Sequence, residues 1–124
     1  MIIGLLLAIS TMGQFSSHRQ LLIFKSLGDV QLAEQQLSSL EKAAGGVNER
    51  DIKITIVEKE SPLFKKYSVD TARFTVILIG KDGFEKYRTN KLLDADQLFS
   101  IIDAMPMRQR EMNKNRKNDG AIPS

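Results

Sequence analysis

Between Leu21 and Val57 the hydrophobic pattern changes period twice, and this restricts the fold more than any other feature of the chain. The run "LLIF" (Leu21 to Phe24) is continuously apolar between polar flanks, as a short strand covered on both faces should be. "SLGD" then supplies a turn. Val30, Ala33, Leu37, Leu40 and Ala44 follow at spacings of three and four, which draws one apolar stripe on a helix. Asp29 stands where that helix needs an N-cap, and Gly45-Gly46 stands where glycine can end it in the left-handed conformation. In "IKITIVEKE" (Ile52 to Glu60) the isoleucines alternate with Lys53 and Thr55, the period of a strand. Strand, helix and strand in this order predict a βαβ unit, its strands parallel and its crossover right-handed.

The rest of the chain extends that unit. Ser61-Pro62 resembles a helix start, Ser61 as cap and Pro62 in the first turn, where a missing N–H costs nothing. "RFTVILIG" (Arg73 to Gly80) is the strongest strand signal, and Asp82-Gly83 before "FEKYR" predicts an antiparallel hairpin. Asp94 opens a last core helix, with Gln97 placed for a capping box and Leu98, Ile101, Ile102 and Met105 facing the core. Pro106 interrupts or restarts that helix. The expected architecture is α/β: a four-stranded mixed sheet, made of the βαβ unit and then a β-hairpin and C-terminal helix, with helices flanking it. Beyond Met112 the composition turns to Asn, Lys and Arg, and order is expected to fade.

A chain of 124 residues suits one small domain. It contains no cysteine, which excludes a disulfide, a thiolate metal site and a thiol nucleophile. The single histidine, His18, makes no zinc site alone and reads as a surface or packing residue. The net charge of +3 belongs entirely to the segment from Met105 onward, which holds Arg108, Arg110, Lys114, Arg116 and Lys117 against Glu111 and Asp119. Neither "AAGG" nor "GKDG" leads from a strand into a helix, so neither is a phosphate loop. Glu58 and Glu60 read as a solvated strand end, and Asp94, Asp96 and Asp103 are scattered along a helix rather than paired for acid–base work.

"MIIGLLLAISTMG" is apolar from Ile2 to Ser10, too short to span a bilayer, which takes ~20 residues. It suits the apolar region of a secretory signal over 1–13, cleaved near Ala8-Ile9-Ser10 or Thr11-Met12-Gly13, although no Lys or Arg precedes it. The alternative is an N-terminal strand packed on the sheet edge. On the first reading the protein is exported, to the periplasm or beyond.

The order of elements is that of a thioredoxin-like domain. "NERDIKITIVE", "FTVILIGKDG" and above all "LFSIIDAMPMRQREM" resemble a bacterial family of secreted domains, domain of unknown function 4174, related to the repeated domains of equarin and the sushi-repeat proteins. The resemblance places the domain at about 20–112 and leaves 113–124 as a basic polar tail, expected to be disordered. It implies a thioredoxin-like fold and an exported protein, and no established activity. Asp29-Val30-Gln31-Leu32 lies where the resemblance would put a Cys-x-x-Cys pair, and Phe74 lies where it would put a cis-proline. Both halves of a redox site are therefore missing.

The sequence accordingly implies no catalytic residue, metal or cofactor. It favours an interaction module for an unknown protein partner, with Asp29 and Phe74 at the inherited site and Arg108, Arg110, Lys114, Arg116 and Lys117 in the tail as candidate contacts. Asp29 also reads simply as a helix cap, and the tail as a solvated helix end. The alternative function is an accessory or degenerate, peroxiredoxin-like oxidoreductase that works through a partner's thiols. Contact of the tail with nucleic acid ranks last, since the tail lacks aromatics for stacking. The sequence gives no oligomeric state.

Overall fold

The computed structural model describes residues 15–120, with side chains through 116, so the expected signal segment 1–13 lies outside the described residues. The strands are β1 (Arg19–Phe24), β2 (Ile52–Val57), β3 (Thr75–Ile79) and β4 (Glu85–Thr89). The helices are α1 (Gln31–Glu41), α2 (Ala44–Glu49), α3 (Leu63–Lys66), α4 (Ala95–Asp103) and α5 (Pro106–Gly120). The sheet order is β2-β1-β3-β4. β1 and β2 are parallel, in register from Arg19 opposite Ile52 to Phe24 opposite Val57, and the other two pairings are antiparallel. This is the mixed α/β sheet expected from the change of period.

Both faces of the sheet are covered, which is why β1 and β3 are apolar without alternation. Leu21, Ile23, Val76 and Leu78 point to one face and pack with Ala33, Leu40, Leu98 and Ile102 of α1 and α4. Leu22, Phe24, Ile77 and Ile79 point to the other, where Phe64 of α3 meets Phe24 edge to face at 5.0 Å. Among the described residues no helix is long and apolar enough to cross a membrane.

Several expectations about the helices are corrected. Gly45-Gly46 does not end a helix but sits inside α2. A Cβ on Gly46 would lie 2.5 Å from Phe99 Cε2, so glycine is there to let α4 approach. The left-handed residue before β2 is Asp51, at φ 52°. The buried stripe of α1 is Ala33, Gln36 and Leu40, while Val30 and Ala44 are exposed. Gln36 takes the place of an apolar residue because its amide donates to Leu93 O (2.8 Å) and accepts from Leu93 N–H (2.6 Å), satisfying both buried backbone groups. Asp94 caps α4 through Asp96 N–H, but Gln97 turns to the Tyr87 hydroxyl instead of closing a capping box. Finally, α5 starts at Pro106 and extends past Met112 to Gly120.

Candidate functional site

The parallel strands β1 and β2 end together, and the chain leaves them through loops that form a mouth over the C-terminal edge of the sheet. After Phe24 the backbone stays tied on both sides: Lys25 N–H donates to Val57 O (3.2 Å) and Leu27 N–H to Thr71 O (3.0 Å). Ser26 is buried between these ties. Its hydroxyl donates to Ala72 O and accepts from Gly28 N–H, each at 3.1 Å. The loop into α1 is thereby stitched to the loop that precedes β3. Asp29 then accepts from Gln31 N–H at 3.2 Å, but the cap position of α1 is Val30, which has no side-chain cap, so the expected N-cap is displaced by one residue.

This stitching pushes two aliphatic side chains outward. Leu27 is 59% exposed and Val30 57% exposed, beside an open cleft of about 250 Å³ whose floor includes Ser26 and whose rim carries Lys25, Glu58 and Glu60. Lys25 pairs with Glu58 at 3.2 Å across that rim. The sequence reading missed Leu27 and assigned Val30 to the core. The turn "SLGD" held the signal, because an aliphatic residue within a tight loop has no neighbouring turn to bury it.

Nothing at the mouth is built for covalent chemistry. The Ser26 hydroxyl is committed to a carbonyl, and His18 lies at the opposite end of β1 with Nδ1 2.9 Å from Ser17 Oγ. Among the described residues no three His, Asp or Glu side chains gather as metal ligands. Phe74, expected as a contact at this site, is 4% exposed and belongs to the core. Only its backbone carbonyl has a polar role, accepting from Asn90 Nδ2 at 3.0 Å.

The remaining expected contacts are at the other end of the sheet, on α5. Arg108 is not presented to a partner: it is 1% exposed and bonds Asp103 Oδ1 at 3.0 Å and Glu49 Oε2 at 2.8 Å. Arg110, Lys114 and Arg116 are exposed, and Lys117 falls where side chains are not described. The structure thus separates Asp29 from the basic residues and brings Arg108 into an ion-pair latch that the sequence did not reveal. Arg19, also 1% exposed, grips Glu111 from the start of β1, and Lys81 reaches Glu111 at 2.7 Å and Asp51 at 2.8 Å. Arg50 bonds Asp103 at 2.8 Å and lies 4.1 Å over the Phe99 ring. The Lys81 hydrogen bond holds Asp51 below the usual carboxylate range, and the Arg50 hydrogen bond does the same for Asp103. Burial alone would lower the Arg108 pKa, but its bonds to Asp103 and Glu49 outweigh this and raise it. These carboxylates are neutralised in place, which suits anchoring rather than catalysis.

Comparison with known proteins agrees with this geometry. A family model described as "Domain of unknown function (DUF4174)" matches residues 12–111. No curated protein matches the sequence. Among solved structures, the reduced 2-Cys peroxiredoxin of Plasmodium vivax superposes with a TM-score of 0.60 at 18% identity, covering 79% of this chain and 82% of that one. Thioredoxin-2 of the malaria parasite gives 0.57 at 20% identity, over 71% and 84%. A thioredoxin-fold protein from Helicobacter pylori gives 0.55 at 15% identity, over 88% and 87%. At these identities the likeness establishes a shared fold, the thioredoxin fold.

Proposed function

This chain belongs to the family described as domain of unknown function 4174, and from that premise we propose that it is a non-catalytic binding module, exported from the cytoplasm, which uses the mouth of its thioredoxin fold to hold a protein partner. One observation carries the reading. Leu27 and Val30 stand more than half exposed on a loop held rigid by hydrogen bonds to Thr71 and Ala72, beside an open cleft, with no thiol to perform chemistry there. Adjacent exposed aliphatic residues on a fixed frame, rimmed by Lys25, Glu58 and Glu60, have the make-up of a small contact patch: apolar centre, polar border. The accessory oxidoreductase reading draws on no residue of this chain, since every reactive sulfur would come from the partner.

A photo-crosslinking amino acid placed at Val30 tests the reading, with one at Lys65 on α3 as control. In an envelope extract the Val30 probe is expected to give discrete adducts that the Lys65 probe does not, and Leu27→Asp should abolish them. Identical adducts from both positions would overturn the assignment of the mouth. Export is supported by the apolar run Ile2 to Ser10. It is checked by the N-terminus of the protein recovered from the periplasm or medium, expected between Thr11 and Gln14; a cytoplasmic protein retaining Met1 would refute it.

A further inference from the structure

The end of β1 opposite the mouth also exposes large apolar side chains. Phe15 is 78% exposed and Phe84 59% exposed. Two backbone bonds bring both to the β3–β4 turn. Ser16 N–H donates to Lys81 O at 2.7 Å, which holds the segment before β1 against the turn. Gly80 N–H donates to Phe84 O at 2.9 Å, which sets Phe84 opposite Gly80, and residues directly opposite share a face of the sheet. The open side of Gly80 is covered by Lys86, whose Cε lies 2.5 Å from where a Cβ on Gly80 would stand. Lys86 in turn lines a cleft of about 210 Å³ with Lys81, Met105, Pro106 and Met107. Phe84 therefore stands on the same side of the sheet as the start of α5.

From that cleft α5 carries positive charge outward. Met107, Arg110 and Lys114 follow at spacings of three and four and so share one face of the helix. Arg110, Lys114 and Arg116 are exposed. Glu111 is the one carboxylate between Met105 and Arg116, and it turns to Arg19 and Lys81 instead of outward. In the hairpin, Asp82 and Glu85 are matched by Lys86 and Arg88. Among the described residues, this end thus combines exposed phenyl rings with positive charge that Glu111, Asp82 and Glu85 do not offset.

We infer that this end of the domain docks on an anionic lipid surface, with Phe15 and Phe84 entering the headgroup layer and Arg110, Lys114 and Arg116 lying over the lipid phosphates. Surface binding of that kind draws on apolar area and cationic charge together. Connectivity selects the occupant. The apolar run Ile2 to Ser10 joins the domain at this end, and only Thr11 to Gln14 lie between Ser10 and Phe15, at most about 18 Å of extended chain. A leader engaged in a bilayer therefore holds this end, and not the mouth, against the bilayer surface. To that extent the choice of lipid rests on the reading of Ile2 to Ser10 as an export signal. The mouth, at the far end of β1, is left facing away from the lipid and open to its partner.

The test is flotation of the full chain with vesicles of phosphatidylcholine alone and of an equimolar mixture with phosphatidylglycerol. The apolar run enters both kinds alike, so the difference between them reports the docking face. Binding to the mixed vesicles is expected to be tighter by about tenfold or more, a preference that fades as salt rises. The double variant Arg110→Gln, Lys114→Gln should lose most of it, and both positions are exposed, so the fold tolerates the change. Because the chain has no tryptophan, Phe84→Trp and Leu27→Trp each introduce a single fluorescent reporter. On mixed vesicles the emission of the first should shift to the blue and that of the second should stay where it is. Equal binding to the two kinds of vesicle, a preference undiminished in the double variant, or a blue shift with Leu27→Trp and none with Phe84→Trp would each overturn the proposal. Tighter binding to a single-stranded oligonucleotide than to the mixed vesicles would overturn it too, by giving the face to nucleic acid. The crosslinks expected from Val30 do not depend on lipid, so this proposal and the assignment of the mouth fail separately.

Discussion

Two residues show how side-chain choice is fixed by a neighbour distant in sequence. Gly46 lies within α2, where alanine would ordinarily be preferred by up to ~1 kcal/mol. The Phe99 ring occupies the place of its Cβ, and Arg50 lies across that ring, so the ring is not free to swing away. Gly46→Ala should therefore destabilise the fold by about 2 kcal/mol, with the loss largely recovered when Phe99→Leu is added, a coupling read from urea unfolding of the two single variants and the double. Gln36 is the converse case, a buried polar residue that substitutes for an apolar one. Gln36→Leu matches the environment but strands Leu93 N–H and Leu93 O inside the protein. The cost should be about 2–4 kcal/mol, and equilibrium denaturation that finds the leucine variant as stable as the parent would refute the account.

At the scale of elements, α5 is the unusual part, a helix polar on all sides that would not hold together alone in water. Its attachment is ionic: Arg108 to Asp103 and Glu49, and Glu111 to Arg19 and Lys81. Because Glu49 can turn to solvent and Asp103 keeps its bond to Arg50, Arg108→Ala should cost about 2–3 kcal/mol, near the low end for a broken buried pair. Arg108→Lys should recover little, since an ammonium cannot bond both carboxylates with a planar fork. Removing the chain after Met112 should change stability by less than about 0.5 kcal/mol, because the exposed residues 113–116 contribute to neither core. The sequence announced most of the elements themselves: the apolar runs of β1 and β3, the Asp82-Gly83 turn with Gly83 at φ 86°, and Pro106 at the start of a helix. It did not announce the latch. Arg19 and Arg108 look like any charged residue beside an apolar segment, and their burial depends on partners 92 and 59 positions away. The candidate mouth was half legible for the same reason. Asp29 is legible as a local acceptor at the helix start, one residue before the cap position at Val30, whereas the loop that carries exposed Leu27 is fixed by hydrogen bonds to Thr71 and Ala72 that no local pattern encodes.

For the molecule as a whole, the latch and the mouth occupy opposite ends of β1, so the fold has a charged, anchored end and an open one. Acid should distinguish them. The Lys81 hydrogen bond holds Asp51 below the ordinary carboxylate range, and the Arg50 hydrogen bond holds Asp103 there. Burial would raise Glu111, but its bonds to Lys81 and Arg19 prevail and lower it. A carboxylate with a lowered folded pKa binds protons less readily than in the unfolded chain, so around pH 4, where the unfolded carboxylates titrate, the unfolded state carries more protons. Stability from these groups is therefore complete above that range and is lost as pH falls through the lowered folded values. Between about pH 6 and pH 3 the unfolding free energy should decline, and the Asp103→Asn, Glu111→Gln double variant should begin lower at pH 6 and decline less. Asp82 and Glu85 in the hairpin are also lowered, by Lys86 and Arg88, and they remain in both proteins, so only the difference between the two curves reports on the latch. In the same window, amide exchange should accelerate in α5 before it does in β1 and β3, because the strands are held by burial that protonation leaves untouched. Parallel pH curves for the two proteins, or acceleration in the strands first, would show that α5 is held by something other than its ion pairs.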